Sequence, residues 1–320
     1  MSLFNLLTYL RLKLFALFLR TSLRLLRGLP RAHPDGVLHI PSRDPGRTIK
    51  LHVYHGQPSV KPQPVLINFH GSGFVVPVHG HDDEFCRLVS REAGYTVLDV
   101  QYRLAPEHPF PAALHDGEDV VRWVLEKGRA GEEFDKERIA VSGFSAGGNI
   151  ALVLSSSFSS SSSSSSSPST FPRGKQIFRS VLAFYPPTDI SIDPASKLPP
   201  DTDPAGRPLP PFLARFFNRS YIPPGFDARD PRISPSFAPA SAFPANVLIV
   251  TAAWDNLANE AEALAAKIKE AEGEGSGRYV VCRRMEKCDH AWDKGVYEEG
   301  TVQGKAKKEA YALAVEMLRR

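Results

Sequence analysis

The run Arg138-Ile-Ala-Val-Ser-Gly-Phe-Ser-Ala-Gly-Gly-Asn-Ile-Ala-Leu-Val-Leu154 constrains the fold more than any other stretch of the chain. Ile139, Ala140 and Val141 form a short apolar run that stops at Gly143, and a second apolar run resumes at Ile150. The pattern predicts a buried strand, a very tight turn and a helix, with Ser145 at the apex of Gly-x-Ser-x-Gly. Gly143 and Gly147 lack a Cβ, so strand and helix can approach closely while Ser145 takes a strained backbone. The helix start then aims free N–H groups and the positive dipole end at whatever reacts on Ser145. A strand and a helix on either side of a serine mark it as a nucleophile.

The rest of the chain repeats that alternation. Val37–Ile40 and Thr48–Tyr54 alternate apolar and polar residues around Asp44-Pro-Gly46, as an antiparallel hairpin does. Denser apolar runs follow at Val65–Phe69, Thr96–Val100, Ser180–Tyr185, Val247–Thr251 and Tyr279–Cys282. Helical spacing marks 81–93, the region of Val120–Leu125, about 258–272 and 304–320. Strands rich in Val, Ile and Leu between amphipathic helices predict an α/β fold, a mostly parallel sheet covered on both faces.

Two segments interrupt the pattern. Ser155–Thr170 is almost pure serine and carries too little apolar surface to offset ordering entropy, so a disordered loop is expected there. Residues 186–239, about a sixth of the chain, hold 14 of its 28 prolines. Within them Pro211–Tyr221 has one short helical pattern with Phe212, Phe216 and Phe217 on adjoining faces, which suits a lid or substrate wall.

The formal net charge of +4 hides an asymmetry: residues 1–34 carry six Arg and Lys and no acid, so +4 less six leaves −2 for the remainder. No basic patch or readout motif remains for nucleic acid, and none is expected as a partner. In that first segment Lys13, Arg20, Arg24 and Arg27 fall within about 60° on a helical wheel, opposite much of a Leu/Phe face. Charges at 11, 13 and 20 break any apolar span long enough for a transmembrane helix. Three readings stay open for residues 1–35: a helix lying on a membrane surface, a targeting segment, and a helix folded over the protein's own pocket. Cys86, Cys282 and Cys288 suit free thiols in a reducing, cytoplasmic compartment, and their spacing is not that of a zinc site. Neither a metal nor a cofactor is expected.

A serine hydroxyl needs a base, usually a histidine oriented by a carboxylate, and in this architecture they follow in the order Ser, Asp or Glu, His. Asp255 stands just past the strand at Val247–Thr251, and His290 is the only histidine beyond His115. Asp289 and Asp293 adjoin that histidine in sequence and are poorer orienting acids. A tetrahedral intermediate also needs preorganised donors; the N–H of Ala146 supplies one, and the loop His70-Gly-Ser-Gly-Phe74 is placed to supply others.

These motifs together resemble the hormone-sensitive-lipase-like branch of the α/β-hydrolases, the fold-3 esterases. Its His-Gly-Gly-Gly is matched by His70-Gly71-Ser72-Gly73, and its Tyr-Arg-Leu-Ala-Pro-Glu stands at 102–107, continuing to Asp116. The elbow Gly-Asp-Ser-Ala-Gly-Gly is matched at 143–148 except at Phe144, and Asp255-Asn-Leu-Ala-Asn-Glu260 partly matches the acid motif, departing at Asn256 and Asn259. The resemblance implies an α/β-hydrolase fold over 36–320 with a small helical cap built from residues 1–35 and 186–225. It implies that Ser145 attacks an ester carbonyl, His290 acts as base and then acid, and Asp255 orients it. Ser72, Gly73 and Ala146 would form the oxyanion hole, with the Cβ of Ser72 narrowing the pocket. Phe74, Phe144, Phe212 and Phe216 are the expected substrate contacts. The expected substrate is a small to medium, fairly apolar acyl ester. Relatives dimerise by strand addition, so a homodimer is a further expectation, as is peripheral membrane contact through the N-terminal helix. Two other readings of the scaffold are a membrane-surface lipid esterase and a non-catalytic small-ligand receptor. A plant hormone receptor of that kind lacks the histidine that His290 supplies here.

Overall fold

The computed structural model describes residues 3–28, 31–57, 60–129, 134–158, 176–271, 277–298 and 300–320. Its strands are β1 (Gly36–Pro41), β2 (Thr48–Tyr54), β3 (Gln63–Phe69), β4 (Thr96–Val100), β5 (Phe134–Phe144), β6 (Ser180–Phe184), β7 (Asn246–Ala252) and β8 (Tyr279–Met285). They form one sheet in the order β1-β2-β4-β3-β5-β6-β7-β8. β1, β2 and β4 pair antiparallel, and every pair from β4 across to β8 is parallel. From β3 the chain moves outward to β4 and then returns to the other side as β5. Loops leaving the carboxyl ends of β3 and β5 therefore diverge and open a crevice at this switch in strand order.

Alternate residues of the central strands go to opposite faces. Val141, Val247 and Ile249 join a core with Ile150, Leu154 and Leu264 from helices α4 (Ala146–Ser157) and α6 (Ala258–Glu270). Ala140, Leu248 and Val250 join a second core with Phe85 and Tyr311, from α2 (Asp83–Glu92) and α7 (Val302–Arg319). Burying each such large side chain contributes roughly 1.5–3 kcal/mol, so two filled faces hold the sheet rigid beneath the crevice.

Helix α3 (Ala112–Arg129) begins well before the Val120–Leu125 run that signals it: Ala113 and Leu114 of its first turn enter the core, and the acidic residues that follow face arginines. Asp116 accepts both Arg47 and Arg103, and Asp119 accepts Arg43. The serine run departs from expectation in its first residues. Ser155–Ser157 complete α4, with Ser155 and Ser156 buried and their hydroxyls donating to the carbonyls of Leu152 and Val153. Residues 159–170 of the expected loop lie outside the described residues.

The Pro-rich segment 186–239 is irregular apart from short 3-10 turns and α5 (Pro211–Tyr221). Helix α1 (Leu3–Arg27) crosses it: the Phe15 ring meets Phe216 edge-on at 4.5 Å between centroids. A small apolar cluster joins Ala16 of α1 to Val75, Ala105 and Phe216. Arg20 donates to the carbonyls of Val75 and Ala105 and makes a two-pronged pair with Glu107 at 3.0 and 2.9 Å. Among the described residues, no helix is long and apolar enough to cross a membrane.

Candidate active site

β5 runs straight into the turn that carries Ser145. The serine backbone sits at φ 49°, ψ −119°, a conformation that an L residue holds only when its surroundings fix it. Part of the fixing comes from its own N–H, which donates to the Phe184 carbonyl of β6 at 2.8 Å. The glycines do the rest. A Cβ on Gly143 would lie 2.2 Å from the Gly147 carbonyl oxygen, and one on Gly147 would lie 1.9 Å from that of Phe69. Strand, turn and helix can come this close only without side chains at both positions.

Three strand ends meet at the serine. The Ser145 Oγ lies 2.9 Å from His290 Nε2, and His290 Nδ1 lies 2.7 Å from Asp255 Oδ2. Asp255 is fully buried beyond β7, and its second oxygen accepts the Leu257 N–H at 3.0 Å. His290 follows β8, with the Tyr185 ring edge-on at 4.9 Å. Burial is the largest single influence on the His290 pKa and pulls it down. The charge and hydrogen bond of Asp255, with Asp293 further off, outweigh it, and the net shift is upward. Asp289 and Asp293 are committed elsewhere. Asp289 accepts the Arg207 N–H, while Asp293 accepts the Tyr185 and Tyr311 hydroxyls and pairs with Lys294.

The loop after β3 lies against the elbow, since a Cβ on Gly71 would come within 3.5 Å of the Ser145 Cβ. Among the described residues, the N–H groups of Ser72, Gly73 and Ala146 have no backbone acceptor. Ser72 behaves differently from expectation. Its hydroxyl is 2.6 Å from the Tyr102 hydroxyl, which itself donates to the His70 carbonyl at 2.7 Å. The Ser72 side chain is thus turned toward Tyr102 and is absent from the cavity wall.

In front of Ser145 opens a cavity with about 490 Å³ of empty space including its mouth. Gly73, Phe74 and Ala146 line it near the serine, and Ile190, Leu209 and Phe217 are among the residues that line it further out. Phe74 therefore stands where expected, stacked on Tyr221 at 3.7 Å between centroids. The other three expected contacts do not line the cavity. Phe144 is fully buried beneath the elbow, stacked on Phe184 at 4.5 Å. Phe216 is turned to α1, and Phe212 is 65% exposed on the outer face of α5. Phe217 takes their place. It covers Gly73 so closely that a Cβ there would meet its ring at 2.6 Å. Helical spacing could not choose among three phenylalanines without knowing which face of α5 turns inward. Asn256 and Lys197 also reach the cavity wall. Lys197 pairs there with buried Glu260, whose carboxylate also accepts the Thr188 N–H.

A parallel sheet with a strained serine at its central strand end, and a histidine and an aspartate at later ones, defines the class of the α/β hydrolases. Residues 66–294 match the family described as alpha/beta hydrolase fold, in its third, hormone-sensitive-lipase-like branch, and the chain belongs to that family. Several of its relatives are ester-hydrolysing enzymes by name. It is 30% identical over 262 residues to the carboxylic ester hydrolase LipN of Mycobacterium tuberculosis, a match covering 80% of this chain and 66% of LipN. It is 30% identical over 243 residues to the ethyl acetate hydrolase of Pseudomonas putida, covering 74% of this chain and 71% of that one. The solved hyperthermophilic esterase from Pyrobaculum calidifontis superposes with a TM-score of 0.71 at 26% identity, covering 97% of this chain and 92% of the other.

Proposed function

We propose that this protein is a serine carboxylic-ester hydrolase that works through an acyl-enzyme. The observation that carries the reading is the unbroken line from Ser145 Oγ to His290 to buried Asp255, at 2.9 and 2.7 Å, with the serine facing the cavity. Asp255 Oδ2 accepts from Nδ1–H of His290, which leaves Nε2 as the acceptor for the serine proton. As Oγ adds to the ester carbonyl, that proton passes to Nε2, and the imidazolium then protonates the leaving alkoxide. Water repeats the sequence on the acyl-enzyme and releases the acid. The oxygen that becomes negative in each half is received by the N–H groups of Ser72, Gly73 and Ala146, aided by the α4 dipole.

The relatives are esterases by name, and the cavity walls beyond the serine are largely apolar. Both favour small to medium apolar acyl esters. Residues 1–35 and 186–225 supply the cap in this reading, with α1 holding α5 over the cavity. Ser145→Ala should lower turnover of a short-chain aryl ester by roughly 10⁴–10⁶-fold with the thermal midpoint retained. A fluorophosphonate probe should label the parent protein and not this variant. Turnover unaffected by the substitution would overturn the assignment, and a parent protein that binds esters without labelling would be a receptor.

A further inference from the structure

A second cluster of chemistry-bearing side chains lies away from the catalytic line, on the sheet face covered by α2. His52 and Asp99 are direct partners across the antiparallel β2–β4 pair, so both side chains leave the same face. His79, from the loop between β3 and α2, closes over them, its ring stacked on His52 at 4.0 Å. His79 Nε2 is 3.2 Å from Asp99 Oδ2, and His52 Nδ1 is 3.9 Å from the same oxygen. One ligand atom from each residue can be chosen so that all three lie within 4.8 Å of one another. Side-chain exposure is 10% for His52, 6% for His79 and none for Asp99.

We propose that His52, His79 and Asp99 form a binding site for a first-row divalent cation of the zinc class. His52 Nδ1 is a buried polar atom with no hydrogen-bond partner among the described residues, and the Asp99 Oδ2 it faces is met by His79 Nε2, which also lies 3.0 Å from the Asp99 backbone carbonyl. A cation between them would satisfy the ring nitrogen and take the carboxylate oxygen as a second ligand. Two imidazoles and one carboxylate are the donor set that suits Zn²⁺, with water completing a tetrahedron. Bonds of about 2.0–2.2 Å put neighbouring ligand atoms roughly 3.3–3.5 Å apart. The His79–Asp99 contact, at 3.2 Å, lies just below that length, and a shift of the His52 ring would bring the longer contact, at 3.9 Å, to it. The carboxylate is also held from behind: its other oxygen accepts Asn68 Nδ2 at 2.9 Å, and Asn68 Oδ1 accepts the Ser142 hydroxyl at 2.8 Å. Such backing orients a ligand and is typical of built metal sites.

Burial first, then the neighbouring His79, holds the His52 pKa down to about 4. Burial also lowers the His79 pKa, but Asp99 outweighs it and the net shift is upward. Around them Lys50 is the opposing charge, Asp83 the favourable one, and His70 is neutral, its pKa held at about 4 chiefly by burial. A spacing rule could not find this site, because only the register of β2 on β4 unites residues so far apart in sequence.

The test uses the full chain, stripped with chelator and titrated with Co²⁺, whose visible absorption reports an ordered low-symmetry site. Saturation at one equivalent per chain is expected, with displacement by Zn²⁺ and a rise in thermal midpoint of several degrees at excess Zn²⁺. His52→Phe keeps the ring stack but removes the ligating nitrogen. It should weaken uptake at least tenfold and abolish the thermal shift, with metal-free ester turnover unchanged. Should that variant fail to fold, Asp99→Asn retains an oxygen for Asn68 and serves in its place. No uptake by the parent chain would overturn the site, and so would equal uptake by parent and variant.

Discussion

Two opposing influences act on His290, and in the proposed reaction their balance sets the acid limit. Burial disfavours the imidazolium, while the Asp255 carboxylate at 2.7 Å favours it and prevails with help from Asp293. The histidine acts as a base only when neutral, and its pKa lies above the ordinary 6.5. The acid limb of kcat/KM is therefore expected above pH 6.5, with activity lost as pH falls through it. Asp255→Asn removes the upward influence, so the residual activity, lower by about 10⁴-fold, should titrate with its limb shifted to lower pH. A pH–rate profile of both proteins checks the sign. Phe144 is the other residue that repays attention at this scale, because its family counterpart is an aspartate. Lys294 Nζ sits 3.4 Å from the Phe144 ring centroid and pairs with Asp82 at 2.7 Å and Asp293 at 2.8 Å. Burial alone would lower the lysine pKa, but the two carboxylates raise it, so the ammonium stays charged against the ring face. Lys294→Met leaves two buried carboxylates without their cation and should destabilise the fold by about 3–5 kcal/mol, read as a lowered denaturant midpoint. Ser145, Asp255 and His290 were readable from sequence because each follows an apolar run in a fixed order. The partner of Phe144 was not, since the loop that brings Lys294 under the elbow leaves no local signal.

At the scale of elements, the regular strands and helices were legible wherever burial imposes a period. The exceptions have a common cause: a segment whose environment is polar or supplied by a distant element. The first turns of α3 precede the Val120–Leu125 run that marks the helix in the sequence, and their Asp116 and Asp119 pair with arginines supplied by distant elements. The end of α4 reads as low complexity because buried serines can bond their own preceding turn. Helix α1 is the case with functional weight. Its inner side fastens to the hydrolase through Arg20 and Phe15, while Leu14, Leu17, Phe18, Leu25 and Leu26 are 60–83% exposed. The inner contacts favour a cap, and the outer apolar residues beside Lys13 and Arg24 favour a lipid surface. The two roles separate experimentally. Arg20→Ala removes both the carbonyl bonds and the Glu107 pair and should raise KM for a soluble ester several-fold, with a smaller change in kcat. Leu17→Ser with Phe18→Ser should leave soluble turnover alone and lower co-sedimentation with anionic lipid vesicles. If vesicle binding survives the second change, the outer face does not dock on lipid.

Across the whole molecule, stability and function are divided between two parts of unequal rigidity. Ser145, Asp255 and His290 hang from the ends of β5, β7 and β8, whose sheet is packed on both faces. In the proposed reading the cavity roof comes instead from α5 and the segment before it, with α1 behind α5, joined to it through a small cluster of Ala16, Val75, Ala105 and Phe216. Few buried apolar contacts mean a low free energy of local opening, so the roof should open many times for each global unfolding event. In the proposed reaction an ester must enter under that roof, and a product must leave, without disturbing the hydrogen bonds of Ser145, His290 and Asp255. Amide exchange should therefore divide the chain. The amides of β3, β5, β6 and β7 should exchange only through global unfolding, and those of α1 and α5 orders of magnitude faster. Occupying Ser145 with a covalent phosphonate, whose substituent fills the cavity against Phe217, should slow exchange in α5, and through Phe15 and Phe216 in α1, while β5 stays as slow as before. Exchange measured by mass spectrometry with and without the phosphonate decides the matter. Uniform slowing across sheet and roof would mean that the cap and the catalytic sheet open as one unit.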